Sequence, residues 1–419
     1  MTRRRVNVTA AGCVLRSAGT RQRCDDRRVS VTPPTTTTAT ADALAPYDAV
    51  LLASFGGPNG HDDVMPFLRN VTAGKGIPDE RLAVVAEHYH HFGGASPING
   101  QNLALRAALV DELARRGIDV PVLWGNRNWE PYTADALAQA HADGARRVLA
   151  LVTSAYSSYS GCRQYREHFW SSLEEVGAQV GSAPGEHPLE IDKVRSYFNH
   201  PGFVEAGTDA VVEAYGQVDP AADWPRLLFV THSIPDTMEE ASQVAGASYR
   251  AQHLDVARSI AAAATRRLGR PLEWDLVYCS RSGPPHQPWL EPDVNDHLRA
   301  LHAAGTTSVV MAPIGFVSDH MEVAFDLDTE AMATAAELGV HAVRAGTVGT
   351  REPFVRGLVD LLLERAATRR ALDAGAEPVR GATVGDLPPF RSVCAPGCCR
   401  QRAGVDSGVL AACSADPAS

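Results

Sequence analysis

The segment SVVMAPIGFVSDHMEVAFDLDTE, residues 308–330, carries the pattern that decides the fold class. It begins with a short apolar run that stops at Pro313, which is typical of a buried strand in a parallel sheet. The turn that follows leads into a stretch with helical periodicity and acids at positions 322, 326 and 330. Because a strand that is followed directly by a helix is half of a βαβ unit, this segment predicts an α/β protein.

The same alternation continues on both sides of this segment. Comparable apolar runs occupy residues 47–54, 120–125, 147–153, 226–231, 275–279 and, more weakly, 341–343. Stretches rich in Ala, Leu, Arg and Glu predict helices over residues 102–116, 133–143, 249–268, 292–304 and 352–373. The alternation predicts parallel sheets with helices on their faces.

Composition excludes several classes of protein. The chain has 419 residues, of which 45% are hydrophobic and 21% are charged, as in ordinary globular proteins. No run approaches the roughly 18 uninterrupted apolar residues of a membrane-spanning helix. The net charge of −10 argues against a protein that binds the phosphate backbone of a nucleic acid.

The N-terminal segment differs from the rest of the chain. Residues 1–46 contain eight Arg and three acids, together with the run Thr35–Thr38. A signal peptide needs a continuous apolar core, which is absent here, and Asp25 and Asp26 are atypical of an Arg-rich transit peptide. We predict a disordered or wrongly assigned N-terminal extension and a cytoplasmic protein.

Polar residues follow several predicted strands, where ligands bind in open α/β sheets. His232 comes directly after the run RLLFV, and its imidazole can accept protons or bind a divalent metal near neutral pH. An ordinary loop histidine is the alternative. Glu322, Asp326 and Glu330 have the spacing that places carboxylates on one helix face. This row is either a solvated surface or a path for cations or protons.

Other turns also have the composition of ligand-binding segments. The glycines of SFGGP (residues 54–58) and GGASPI (93–98) permit close backbone approach, although neither is a GxGxxG dinucleotide motif. Residues 156–167 concentrate Tyr, Ser and Arg at a strand-to-helix junction, which favours anionic groups such as carboxylates.

The eight cysteines, at positions 13, 24, 162, 279, 394, 398, 399 and 413, are unevenly distributed. A disulfide framework is not expected in a long chain without an export signal. Three of them lie in CAPGCC, residues 394–399. This density is typical of metal or cluster ligands, and free thiols in a flexible tail are the alternative.

Together these motifs resemble the ferrochelatase family, whose members insert ferrous iron into a porphyrin. The matching segments are LLASFGGP (51–58), FGGASPIN (92–99), TSAYSSYSGCRQY (153–165), FVTHSIP (229–235), SRSGPPHQPWLEP (280–292) and PIGFVSDHMEVAFDLDTE (313–330). The resemblance implies two similar Rossmann-like lobes with a cleft between them. The first lobe would comprise residues 47–205 and helix 352–373, the second 206–351, and the Cys-containing tail 374–419.

The resemblance also implies roles for individual residues. His232 and Glu322 would face the porphyrin centre and bind Fe²⁺, and Asp326 and Glu330 would form a metal or proton path. Which of the first pair takes protons and which delivers metal stays open. The remaining implied residues are the supporting Asp319 and His320, and the substrate contacts Ser96, Tyr165, Phe55, Tyr156 and Arg163.

Phe55 departs from some bacterial relatives, which carry Tyr at this position. That Tyr can bind iron from the face opposite the His, and Phe cannot. We therefore expect a product without this axial ligand.

The resemblance further implies a 2Fe–2S cluster. Certain ferrochelatases hold one through a mid-chain Cys and three tail Cys, which Cys162, Cys394, Cys398 and Cys399 match, with Cys413 as a substitute. Four thiolates are what such a cluster needs.

The porphyrin is expected to be coproporphyrin III, whose four propionates favour a cleft edge with Arg, such as Arg163, Arg166 or Arg69. Protoporphyrin IX, a cobalt or nickel tetrapyrrole chelatase, and a tetrapyrrole- or solute-binding protein are the alternatives. No HExxH spacing supports a metallohydrolase. We expect a monomer without nucleic-acid partners, and transient peripheral contact with a membrane is possible.

Overall fold

The computed structural model describes residues 42–284, 286–405 and 408–413. Its first sheet contains β1 (Ala49–Ser54), β2 (Val122–Asn126), β3 (Arg147–Val152) and β4 (Glu190–Lys193). All pairs are parallel, in the order β2-β1-β3-β4. Every residue of β1 is buried, as expected for a strand covered on both faces.

The helices of this region cover and flank the first sheet. They are α1 (His61–Val71), α2 (Asp79–His91), α3 (Ile98–Arg115), α4 (Thr133–Ala142) and α5 (Gln164–Val180). A short π-helix, Tyr159–Arg163, immediately precedes α5. The predicted helices over 102–116 and 133–143 are confirmed, with α3 beginning four residues earlier than expected.

The second sheet repeats the topology of the first. It contains β5 (Arg226–His232), β6 (Trp274–Cys279), β7 (Ser308–Ala312) and β8 (His341–Arg344), parallel and in the order β6-β5-β7-β8. The remaining helices are α6 (Pro201–Tyr215), α7 (Asp236–Ser242), α8 (Tyr249–Leu268), α9 (Val294–Ala303), α10 (Met321–Val323), α11 (Met332–Leu338) and α12 (Glu352–Asp373). A 3₁₀ turn occupies Gln243–Ala245. The matching strand orders confirm the predicted α/β class with two similar Rossmann-like lobes.

The two sheets share one hydrophobic core through α6 and α12. Buried residues of β1, β5, α6 and α12 belong to a single cluster, and α12 packs against both α3 and α6. A Cβ on Gly202 would lie 2.3 Å from the Pro353 carbonyl oxygen, so α6 and α12 approach this closely only with glycine at the contact. The boundary predicted between residues 205 and 206 falls within α6, which packs on α8 as well as on α12.

Two elements differ from the sequence expectation. The strand β4, at the edge of the sheet, was not predicted, because its sequence EIDK contains a single apolar residue and shows neither an apolar run nor strict alternation. The helix expected after β7 is largely a π-helix over Ala324–Ala331. Such segments occur frequently at functional sites.

The tail after α12 runs across both lobes. The carboxylate of Asp255, on α8, accepts a hydrogen bond from the Asp386 amide at 2.8 Å. Further along, the Ala412 amide donates to the carbonyl of Arg166, on α5, at 3.0 Å. Most of the predicted N-terminal extension, residues 1–41, lies outside the described residues. Within the described part of the chain, no helix has the length and apolar character needed to cross a membrane.

Candidate functional site

His232 is the last residue of β5, at the carboxyl edge of the second sheet. Its Nδ1 lies within hydrogen-bond distance of the Ser233 carbonyl oxygen. Because a carbonyl only accepts, Nδ1 carries a proton, so in the neutral tautomer the lone pair of the ring lies on Nε2. Nε2 lies 3.6 Å from Oε2 of Glu322, so the predicted pair is brought together.

A buried chain of hydrogen bonds lies behind His232. His253 Nδ1 donates to the Tyr249 carbonyl at 2.8 Å, so its Nε2 accepts from the Thr231 hydroxyl at 2.9 Å. The Tyr249 hydroxyl lies 2.9 Å from the Thr231 oxygen and 3.2 Å from the His232 carbonyl, and its single hydrogen is shared between these two acceptors. Burial lowers the pKa of His253 to about 3, so this ring stays neutral and the direction of the chain is fixed.

The turn after β7 places Glu322 opposite His232. A Cβ on Gly315 would lie 2.1 Å from Thr231 Oγ1, so this turn can approach the end of β5 only with glycine. The Glu322 side chain is 54% exposed, which leaves it open to cations from solvent. These features bring a proton acceptor and an accessible carboxylate to one point of the cleft.

The two residues before this helix support its position. His320 Nδ1 lies 3.8 Å from Glu322 Oε2, and burial lowers the pKa of His320 although the Glu322 carboxylate raises it. The carboxylate of Asp319 lies 3.2 Å from Arg344 Nη1, and its amide donates to Gln101 Oε1 at 2.8 Å. Since Gln101 belongs to α3, this last bond ties the turn to the first lobe.

Asp326 lies one step along the π-helix and accepts a hydrogen bond from the Ser280 hydroxyl. Burial raises the pKa of Asp326 to about 7, although the Ser280 bond lowers it and the carboxylates of Glu322 and Glu330 add to the increase. Glu330 is exposed at the far end of the same π-helix. The acidic row therefore runs from the His232–Glu322 pair through a half-buried carboxyl to solvent.

Helix α2 packs against the π-helix beside the site. The sequence did not indicate this contact. The ring of His88 stacks on Phe325 with centroids 3.8 Å apart. Burial raises the pKa of the neighbouring Tyr89, and the Glu322 carboxylate raises it further, so this phenol lies near Glu322. The motif EHYHH at the end of α2 is the feature of the sequence that could have indicated this contact, because it concentrates aromatic and polar rings on one turn.

On the first-lobe side, Arg127 lies between two predicted substrate contacts. Its guanidinium carbon is 4.9 Å from the ring centroid of Phe55 and 5.1 Å from that of Tyr165. Its Nη1 is buried without a hydrogen-bond partner among the described residues. Partial burial lowers the pKa of Lys75, and the positive charge of Arg127 lowers it further.

Three other predicted contacts lie elsewhere. Tyr156 is buried between the lobes, where its ring stacks on His253 at 3.6 Å and its hydroxyl donates to the Ile314 carbonyl. Arg163 is 4% exposed and pairs with Glu167 at 2.8 Å. Ser96 is buried in the loop after α2, where its amide donates to the Pro58 carbonyl. Tyr165 is likewise only 4% exposed, so of the predicted substrate contacts Phe55, which is partly exposed beside Arg127, is the most accessible.

The four predicted cluster cysteines converge, although they come from distant parts of the chain. Cys162, Cys394, Cys398 and Cys399 form one buried group in which no member is more than 8% exposed. The Sγ atoms of the adjacent Cys398 and Cys399 are 3.5 Å apart, and a φ of 56° at Cys399 turns both side chains to the same side. Cys413 is adjacent, since its carbonyl accepts from the Cys394 amide at 3.4 Å, but its thiol is directed to the Ile191 carbonyl at 3.1 Å.

Across residues 42–284, 286–405 and 408–413, no group of three or more His, Cys, Asp or Glu side chains is arranged to hold a single metal ion. The His232–Glu322 pair has two such side chains, with Asp326 further along the helix. A cation at this pair would need ligands from another molecule, such as water or a bound tetrapyrrole.

Comparisons with known proteins were made on the whole chain. The ferrochelatase family profile matches residues 47–366. A protein named coproporphyrin III ferrochelatase from Leifsonia xyli subsp. xyli is 52% identical over 371 residues, covering 84% of this chain and 91% of that protein. Its namesake from Streptomyces griseus subsp. griseus is 52% identical over 365 residues, covering 86% and 95%. A protein from Rhodopirellula baltica named ferrochelatase is 47% identical over 357 residues, covering 85% and 94%.

Proposed function

This chain belongs to the ferrochelatase family, and we propose that it inserts Fe²⁺ into coproporphyrin III in haem biosynthesis. The observation that carries the proposal is the His232–Glu322 pair, with the imidazole Nε2 3.6 Å from an exposed carboxylate. Two relatives at 52% identity bear the name coproporphyrin III ferrochelatase, which favours that porphyrin over protoporphyrin IX.

The reaction exchanges two pyrrole protons for one ferrous ion, so the site must take up protons and release metal. In our proposal, His232 Nε2 accepts a pyrrole proton and the Glu322 carboxylate stabilises the imidazolium. Asp326, with a pKa of about 7, can accept the second proton at neutral pH. Glu330, at the exposed end of the π-helix, connects this acid to solvent.

We assign the propionates of the substrate to the cations on the first-lobe side. Arg127 and Lys75 interact electrostatically, and the buried Nη1 of Arg127 has no hydrogen-bond partner within the described chain. A carboxylate there would satisfy a buried donor that is otherwise costly. Arg163 is already paired with Glu167, and Arg69 with Asp79 at 2.7 Å, so neither is retained as a propionate partner.

The activity test compares two porphyrins and one variant. The purified protein, supplied anaerobically with Fe²⁺, is expected to metallate coproporphyrin III with a higher kcat/KM than protoporphyrin IX. His232→Ala should abolish metallation while retaining porphyrin binding, measured by fluorescence quenching. Full activity in His232→Ala would refute the role of this residue, and a preference for protoporphyrin IX would refute the substrate assignment.

Phe55 gives a spectroscopic test of the same site. Because phenylalanine offers no oxygen ligand, the bound haem product should lack a tyrosinate band in its visible spectrum. Phe55→Tyr places a phenol at this position and is expected to introduce that band. A tyrosinate signature in the unmodified protein would contradict the proposed placement of Phe55.

We further propose that the four converging cysteines hold a 2Fe–2S cluster. Their number, thiol chemistry and burial fit such a group, and hydrogen bonds from Cys394 and Cys399 hold the pKa of Cys162 well below its usual value. When bound, the cluster would be an electron-accepting centre that also crosslinks the tail to the first lobe. Anaerobic absorption and EPR spectra should show cluster signals that disappear in Cys394→Ser and persist in Cys279→Ser, a buried cysteine of β6.

The remaining expectations stay predictions from the sequence. They are the cytoplasmic location, the monomeric state, the transient contact with a membrane, and the division of the chain into lobes of residues 47–205 and 206–351.

A further inference from the structure

Two buried cations lie beside the four cysteines. Lys193, the last residue of β4, is 5% exposed and lines one small cavity together with Cys162, Cys394 and Cys398. Arg166, on the first turn of α5, has no exposed surface, and its Nε donates to the Ala412 carbonyl in the tail. Both cations therefore sit between the first sheet and the segment that carries the cysteines.

Lys193 has no carboxylate to balance its charge. Its Nζ donates to the Val194 carbonyl at 2.9 Å, and it forms no ion pair with a carboxylate in the described part of the chain. The adjacent Asp192 pairs instead with Arg365 at 2.6 Å and with Arg369 at 3.2 Å. Because a buried ammonium without an anion is strongly unfavourable, the thiolates are the remaining anions that can balance it.

We propose that Lys193 and Arg166 are the charge-compensating residues of the cluster site, and that Lys193 sets its reduction potential. The inference rests on the cluster assigned under the proposed function. Two ferric ions, two sulfides and four thiolates carry a net charge of −2, which the two cations neutralise. One-electron reduction by an external donor adds a negative charge that the same cations stabilise.

The type of residue supports this role. Of the 39 basic residues, 37 are Arg, and Lys193 is one of only two lysines. An ammonium is a compact point charge, whereas a guanidinium is a planar fork suited to bidentate oxygen partners. Lys193 therefore places a single positive charge at this small cavity, which is partly lined by sulfur.

The test measures potential and occupancy instead of activity. Wild type, Lys193→Met and Lys193→Arg are purified anaerobically, assayed for iron and sulfide per chain, and titrated with dithionite while EPR follows the reduced cluster. Removal of the charge in Lys193→Met should make the reduced state at least tenfold less favourable, a decrease of about 59 mV for a one-electron couple. Lys193→Arg, which keeps the charge, should stay within about twofold of wild type, and Lys75→Met serves as the control for loss of a distant lysine.

The outcomes separate this inference from the cluster itself. Wild type without iron and sulfide overturns the cluster, and this inference with it. A wild-type cluster whose potential is unchanged in Lys193→Met overturns the inference alone. Lys193→Met can also be folded by circular dichroism and yet contain no cluster. In that case, a cluster in Lys193→Arg supports charge compensation. Absence of the cluster from Lys193→Arg refutes charge compensation.

Discussion

At the scale of single residues, the orientation of His232 depends on groups that never reach the cleft. Tyr249 is buried, and its hydroxyl lies within hydrogen-bond distance of both the Thr231 oxygen and the His232 carbonyl. Its removal would take away the one hydrogen that these two acceptors share, and an unsatisfied buried acceptor costs about 1–3 kcal/mol.

We therefore predict that Tyr249→Phe lowers the free energy of unfolding by about that amount and also reduces kcat more than it raises KM. Urea unfolding and steady-state metallation measure the two effects. Tyr132→Phe is the matched control, since its hydroxyl bonds Asn70 at an exposed position. If both variants lose the same free energy of unfolding, the buried hydrogen bonds of Tyr249 stabilise the fold no more than the exposed one of Tyr132.

Asp326 gives a prediction about pH. Its pKa is raised from 3.8 to about 7 in the folded protein, mainly by burial. Between these values the folded state binds more protons than the unfolded state, so this residue's contribution to stability decreases as pH rises from about 4 to 7.

Asp326→Asn removes that penalty. The free energy of unfolding of the variant, relative to wild type, should rise between pH 5 and pH 8 by an amount on the order of a few kcal/mol. Urea unfolding at the two pH values measures the change, and Asp111→Asn, at an exposed position of α3, is the control. An identical pH dependence of the free energy of unfolding in wild type and Asp326→Asn would show that the pKa of the Asp326 carboxyl is not raised in the folded protein.

At the scale of elements, the sequence predicted those strands and helices whose periodicity is clear. Seven of the eight strands follow apolar runs such as RLLFV, and α8 has the predicted bounds of 249 and 268. The exceptions depend on tertiary context. EIDK becomes β4 because it pairs with β3 at the sheet edge, and AFDLDTEA becomes a π-helix although its spacing equally fits an α-helix.

The contact between α2 and the π-helix also leads to a prediction. His88 stacks on Phe325, and such aromatic pairs contribute about 0.5–1.5 kcal/mol beyond the area that they bury. His88→Ala should therefore loosen α2 from the site and increase its hydrogen exchange several-fold without altering exchange in α8. Hydrogen exchange with mass spectrometry measures this effect. His91→Ala is the control, because among the ring pairs of the described residues the His91 ring contacts only the neighbouring Phe92. Unchanged exchange in α2 would show that other contacts hold it.

At the scale of the whole molecule, the candidate site is only partly readable from the sequence. His232, Glu322 and the four cysteines could be proposed because each lies in a short, specific motif. Arg127 and Lys75 could not, because their importance comes from the approach of a loop, a strand end and α5 that are distant in the chain. Buried arginines such as Arg163 look the same in sequence as arginines that face a cleft, and only their partners distinguish them.

The charge of the whole chain makes these two cations necessary for an anionic substrate. Outside its basic first 46 residues the chain carries a net charge of −15, which opposes the approach of a porphyrin with four carboxylates. Local positive charge must then offset this field at the cleft. In our proposal Lys75 and Arg127 provide it, and Lys75 lies between two glycines in the loop that joins α1 to α2.

Lys75→Met is therefore expected to lower kcat/KM for coproporphyrin III about tenfold, which corresponds to about 1.4 kcal/mol and is typical of a hydrogen bond to a charged group. The loss should be smaller for protoporphyrin IX, because two of the four propionates are missing, and it should shrink at high salt as the charges are screened. Arg69→Met is the control, since the Arg69 guanidinium is already paired with Asp79. If Arg69→Met shows the tenfold loss and Lys75→Met does not, the propionates bind at the outer end of α1 and not beside Arg127.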